Sequence, residues 1–159
     1  MKFESVNEPM QLGFDDCVMH FIKSGEDVLI EAEALIIKAY NSQNQNYTDS
    51  YADTSELLFE KGRIQSIVKE GYKQYDAMDR LVHETMDETI KEEDYDKVMK
   101  EFQNAYLFSL CQKENEYILR VEIPMEEDSQ KPCNDTYEIS IIADAFKVSF
   151  DRFLNRVQY

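Results

Sequence analysis

Residues 105–113 read AYLFSLCQK and residues 117–123 read YILRVEI, with only Glu-Asn-Glu between them. Apolar and polar side chains alternate in both stretches. A period of two turns one face of an extended chain inward and the other outward, and the short polar link folds the second stretch back beside the first. Pro124 follows at once and ends the second stretch, because it brings no N–H to a ladder. This pair is the clearest hairpin in the chain. It sets an antiparallel sheet as the framework into which the remaining segments must fit.

Similar patterns recur. Residues 16–23 (DCVMHFIK) place Cys17, Met19 and Phe21 on one side of a strand and Val18, His20 and Ile22 on the other. Ser24-Gly25-Glu26-Asp27 reads as a turn, and residues 28–39 (VLIEAEALIIKA) as the return strand. Its alternation changes phase at residues 35–37, which predicts a bulge or a short break. Residues 55–60 and 64–69 flank a Lys61-Gly62-Arg63 turn and read as a second hairpin. Residues 136–143 and 146–150 also alternate as strands, although Phe146, Ser149, Phe150 and Phe153 suit a helix as well. Phe150, Phe153, Leu154 and Val157 fall on one face of a closing helix over 149–157. Residues 1–14 read as a loose terminal arm, and residues 40–54, rich in Asn, Gln and Ser, as a loop. Asp94 is placed to cap an amphipathic helix over 94–103, whereas 77–91 fits either a helix or a strand. Residues 125–135 read as an acidic loop containing Pro132 and Cys133. The expected fold is α+β and mainly antiparallel β-sheet. About seven or eight strands form a half-barrel or sandwich with one to three helices, in a single domain over 1–159.

The 159 residues suffice for a core without disulfides or metal. Three widely spaced cysteines and no apolar signal-like or membrane-spanning run predict a reducing, cytoplasmic setting. Charge is the outlier: 33 acids against 17 bases give a net charge of −16. Such a field repels nucleic acid and anionic membrane and attracts basic partners. The acids concentrate in two runs. Glu84, Asp87, Glu88, Glu92, Glu93, Asp94 and Asp96 form one, and Glu126, Glu127 and Asp128, followed by Asp135 and Glu138, form the other. Tyr95, Tyr117 and Tyr137 are interleaved with them as candidate interface anchors. The ten acids from Glu84 to Asp128 are the candidate protein-binding residues.

Recognisable catalytic signatures are missing. Four dispersed glycines make no phosphate-binding loop or dinucleotide pattern, and no GxSxG occurs. Asp15, Asp16, Cys17 and His20 form the one compact polar group. On a strand, Asp16 and His20 share a face that Cys17 does not, so the segment alone cannot direct all of them at one ion. The structural reading makes Cys17 a core residue and puts His20 at a sheet edge. Neither a cofactor nor a metal is expected.

Phe14-Asp15-Asp16-Cys17-Val18, the hairpin into Val28-Leu29-Ile30-Glu31, and the later SELLFEKGRI resemble small bacterial β proteins of the toxin-immunity type. The resemblance spans about the first seventy residues, rests on fold-level character and transfers no site residue. It implies a compact acidic binder that neutralises a toxin. The expectation is therefore a non-enzymatic acidic binding protein, an immunity-type inhibitor of a basic protein. The alternatives are a small hydrolase-like enzyme using carboxylates or a Cys–His pair, and a structural or oligomerising domain.

Overall fold

The structure is a computed structural model, and it describes residues 1–128, 131 and 133–159. The first half of the chain forms β1 (Phe3–Val6), a 3-10 turn (Pro9–Gln11), β2 (Leu12–Gly13), β3 (Val18–Lys23), β4 (Val28–Glu33), β5 (Ile36–Ile37), β6 (Ser50–Ala52), β7 (Ser55–Glu60) and β8 (Arg63–Lys69). There follow β9 (Tyr72–Tyr75), β10 (Leu81–Thr85), β11 (Glu88–Thr89), a 3-10 turn (Glu92–Asp94) and the helix α1 (Tyr95–Lys100). The chain ends with β12 (Gln103–Lys113), β13 (Glu116–Ile123), β14 (Asp135–Ile142), β15 (Ala145–Phe150) and β16 (Phe153–Arg156).

Ten strands make one open antiparallel sheet in the order β1-β15-β7-β4-β3-β12-β13-β14-β8-β11. A four-stranded sheet, β16-β6-β5-β2, and the two-stranded β10-β9 complete the strands. Large apolar residues line one face of the main sheet in register: Met19 faces Ala32, Ile30 faces Leu57, Phe59 faces Phe146, Leu119 faces Ile139 and Ile139 faces Ile67. The sheet bends so that this face meets itself. Tyr117 on β13 lies five places from β15 in the strand order, yet its ring centroid is 5.6 Å from those of both Phe59 and Phe146. The two arms, β1 to β3 and β12 to β11, therefore bury a shared interior without closing into a barrel. Helix α1 adds Val98 and Met99 to it.

The mainly antiparallel β character expected from the sequence is what the structure shows, but there are sixteen strands among the described residues, not seven or eight. Apart from β10, the surplus comes from strands of two to four residues, too short to display an alternation. The segments over 55–60 and 64–69 are strands, but not a hairpin: β7 pairs with β4 and β15, and β8 with β14 and β11. The turn at Lys61-Gly62 carries the chain from one arm to the other, and β14 to β15 makes the same crossing. The two crossings touch, with the Asp144 amide donating to the Glu60 carbonyl at 2.9 Å.

The first residues are no loose arm. β1 pairs with β15, and Phe3 stacks on Phe150 at 5.0 Å. The closing segment is a strand, β16, with Phe153 packed edge-on against both Phe3 and Phe150. The phase change at 35–37 is a transfer between sheets. Ala34 takes a left-handed φ of 57°, and Ile36–Ile37 then pair with β2 and β6, so residues 35–37 are buried on both faces. One part of the 40–54 loop, Ser50–Ala52, is strand β6. Residues 81–85 and 88–89 settle the 77–91 region as strand. The helix expected over 94–103 is confined to Tyr95–Lys100. Asp94 occupies its cap position without a side-chain capping bond. Of the acidic loop over 125–135, Ser129, Gln130 and Pro132 lie outside the described residues.

Candidate protein-binding surface

Strands β9 and β10 pair only with each other among the described residues. Every residue of β10 is exposed, and so are Tyr75, Met78 and Met86 around it. The turn between the strands is built by Asp76. Its Oδ1 accepts the amides of Met78 at 2.8 Å and Arg80 at 3.0 Å, and its Oδ2 accepts Arg80 Nε at 2.9 Å. These bonds stabilise the carboxylate, so the Asp76 carboxyl titrates below its ordinary range, the Arg80 backbone amide contributing most. At the base, Gly71 lies directly against the partner strand: a Cβ there would be 2.0 Å from the Thr85 carbonyl oxygen. Only glycine permits that approach. The Gly71 amide donates to Asp87 Oδ1 at 2.7 Å, which ties the two ends of the hairpin.

The acids predicted as a binding site surround this hairpin's base and the strand beside it. Glu84, Asp87, Glu88, Glu92, Glu93, Asp94, Asp96, Glu126, Glu127 and Asp128 are all exposed. The structure divides the first run. Glu88 pairs with Lys69 at one end of β8, and the chain then runs back along β8 until the Tyr95 hydroxyl meets the Gln65 carbonyl at 3.2 Å. Glu92, Glu93 and Asp96 consequently lie at the opposite end, lining a depression with Lys61, Arg63 and Gly25. Asp96 there accepts the Ser24 hydroxyl at 2.8 Å.

The structure joins the Glu88 end to the second run. Glu88, Tyr72, Met86, Lys69 and Asp135 line one recess, and Asp135 also lines the adjoining one with Glu126 and Asp128. Burial, then the charges of Asp135, Glu101 and Glu88, push the Tyr137 phenol up to about 12, so carboxylates from both runs act on one point. The nearby bases are already engaged: Lys69 and Lys131 on Asp135 at 3.8 and 2.9 Å, and Arg120 on Glu70 at 2.7 Å. Among the described residues, Glu88, Glu92, Glu93, Asp94, Glu126, Glu127 and Asp128 form no ion pair.

Two of the three tyrosines expected as anchors are core residues. Tyr117 is 1% exposed and Tyr137 5%, because both occupy inward positions of central strands. The apolar groups displayed here are instead those of the hairpin, Met78, Leu81, Val82 and Met86. Their signal in the sequence was the strand alternative at 80–85, in which the adjacent Leu81 and Val82 must point to opposite faces.

The Asp15–His20 group is dispersed. Asp16 Oδ2 accepts the Tyr51 hydroxyl at 2.8 Å, whereas His20 meets the Asn104 amide at 3.2 Å and Glu33 at 3.6 Å. β3 lies between β4 and β12, so His20 is on an interior strand and not at a sheet edge. Cys17 is buried, and burial pushes its thiol up to about 12, which keeps it protonated at neutral pH. His83 meets Thr85 Oγ1 at 3.1 Å and the Tyr72 ring. No cluster of three or more His, Cys, Asp or Glu converges as a metal site among the described residues. Comparison with known protein families, with curated proteins and with solved structures finds no match.

Proposed function

We propose that the chain is a non-enzymatic binding protein whose acidic surface takes a basic protein. The observation that carries this reading is the junction of the two acidic runs beneath a hairpin that displays apolar side chains to solvent. Exposed apolar residues above a base of unpaired carboxylates combine an adhesive centre with a field that steers encounter. The immunity-type role expected from the sequence fits this arrangement. A toxin that acts on nucleic acid needs a cationic cleft, and a carboxylate-rimmed hairpin is complementary to one.

The test uses the product of the adjacent reading frame as the partner, with association followed by stopped flow. The association rate is expected to fall at least about tenfold between low and physiological salt. Glu88→Lys combined with Glu126→Lys is expected to slow association and leave the fold intact. An association rate indifferent to salt and to these reversals overturns the reading.

A further inference from the structure

A second surface lies at the other side of the chain's topology, where residues 38–50 cross between β5 and β6. Its composition, KAYNSQNQNYTDS, combines Tyr with Ser, Asn and Gln. Tyrosine there offers large contact area with little rotamer entropy, and the amides and hydroxyls offer adaptable hydrogen bonds. The loop is held rigidly from within. Asn44 is buried, and its Nδ2 donates to the Ile37, Lys38 and Thr48 carbonyls at 2.9, 3.1 and 2.9 Å, while its Oδ1 accepts the Asn46 amide at 2.8 Å. Asn41, also buried, binds the Ser5 hydroxyl and the Gln43 amide, each at 3.0 Å. Glu8 holds the Ser42 amide at 3.0 Å and also its hydroxyl.

This scaffold displays aromatic rings that it does not bury. Tyr40 is 88% exposed, Tyr47 94% and the C-terminal Tyr159 89%. Tyr47 is held at a φ of 59°, the left-handed region that bulky side chains avoid. Strain of this kind persists only where the surroundings impose it, and here it serves no packing. Tyr159 is tied to the loop through Asp49: its hydroxyl donates to Asp49 Oδ2 at 2.6 Å, and Asp49 Oδ1 accepts the Ala39 amide at 2.8 Å. Asp49 binds the Tyr159 hydroxyl, the charge of Asp15 reaches the same phenol, and Glu8 holds the loop at Ser42, with Lys38 beside Asp49. The Lys38 ammonium is turned to the Met10 carbonyl at 3.4 Å.

We propose that this loop, with Tyr159, is a second interaction surface that receives arginine side chains of a protein partner. Flat aromatic faces beside carboxylates suit a planar guanidinium, which stacks on a ring and hydrogen-bonds an acid at once; an ammonium does the second only. The surface shares no residue with the β9–β10 region, so it stands or falls separately from the function proposed above.

The test titrates an octa-arginine peptide into the isotope-labelled protein and follows backbone amide shifts, with octa-lysine as the control. Octa-arginine is expected to shift the amides of residues 39–51 and 157–159 and to bind there more tightly than octa-lysine. Tyr40→Leu is expected to weaken that binding about two- to fivefold. Tyr47→Asn removes the ring and relieves the backbone, so it is expected to raise the melting temperature while weakening the peptide to a similar degree. Both substituted positions are open to solvent, so folding is not at risk. Unchanged octa-arginine affinity in these two variants, equal binding of octa-lysine with the same shifts, or shifts confined to residues 84–96 overturns the proposal.

Discussion

The arms of the rolled sheet and the β9–β10 hairpin are both antiparallel β-structure, but they are held by different physics. In the arms, every strand between the edges β1 and β11 has a partner on both sides, and the apolar face is buried in the shared interior. Phe59, Tyr117 and Phe146 meet there in one three-ring contact. The hairpin has no covering layer. Its order comes from the Asp76 turn, the Gly71 approach and the Lys73–Glu84 pair at 3.9 Å. A two-stranded sheet is marginal in water by itself, and the main sheet needs no contribution from it. Its apolar side chains are thus available for a purpose other than folding.

The contrast can be broken most severely at Phe59. Phe59→Ala removes a wholly buried ring from the three-ring contact and is expected to cost about 3–5 kcal/mol, read from urea unfolding. A loss below about 1 kcal/mol would mean that the arms are not packed through that contact. Gly71→Ala should act on the other region alone. Its Cβ meets backbone, which cannot step aside, so amide-exchange protection over 72–75 and 81–85 should disappear while β12 to β14 keep theirs.

The same division should appear in the response to acid. Asp76 titrates below its ordinary value in the folded hairpin, so its contribution is present above the ordinary carboxylate range and is lost as pH falls through the lowered value. Exchange protection in the hairpin is therefore expected to fade below about pH 4, and Asp76→Ala to abolish the pH dependence along with the turn. Alkali probes the arms through Cys17. Its thiol is raised from 9.0 to about 12, so the stability it contributes is complete below pH 9 and is lost as pH rises towards 12. At neutral pH, an aromatic disulfide reagent should titrate Cys111 and Cys133, which are exposed, and reach Cys17 only on unfolding. The smallest effect is expected from Leu81→Ser, within about 0.5 kcal/mol in stability, because that side chain is exposed on an uncovered strand.

Alternation made the central strands readable, since β3, β4, β12, β13, β14 and β15 each carry a buried face against a wetter one. Pairing was less readable. The Lys61-Gly62-Arg63 turn has the residues of a hairpin turn, but whether a chain folds back or crosses to a second arm is decided by partners more than eighty residues away in β15. Phe150, Phe153 and Val157 satisfy a helical spacing, yet the demand for a ring against Phe3 places Phe153 in a strand. The acids of the candidate surface were legible as exposed residues, because carboxylates without partners stay in water. Their meeting place was not, for Glu88 and Asp135 approach one another only through the β14–β8 pairing.

The pairing of β1 with β15 sets Phe3 opposite Phe150. β1 thus has no strand of the main sheet to join until β15, the last strand of that sheet in sequence, has been made. During synthesis the β3–β4 hairpin can form early, whereas β1 waits, uncovered, for β15. Order of synthesis and order of assembly run in opposite directions at this edge. Loss of β1 should accordingly leave β15 as the edge of the main sheet.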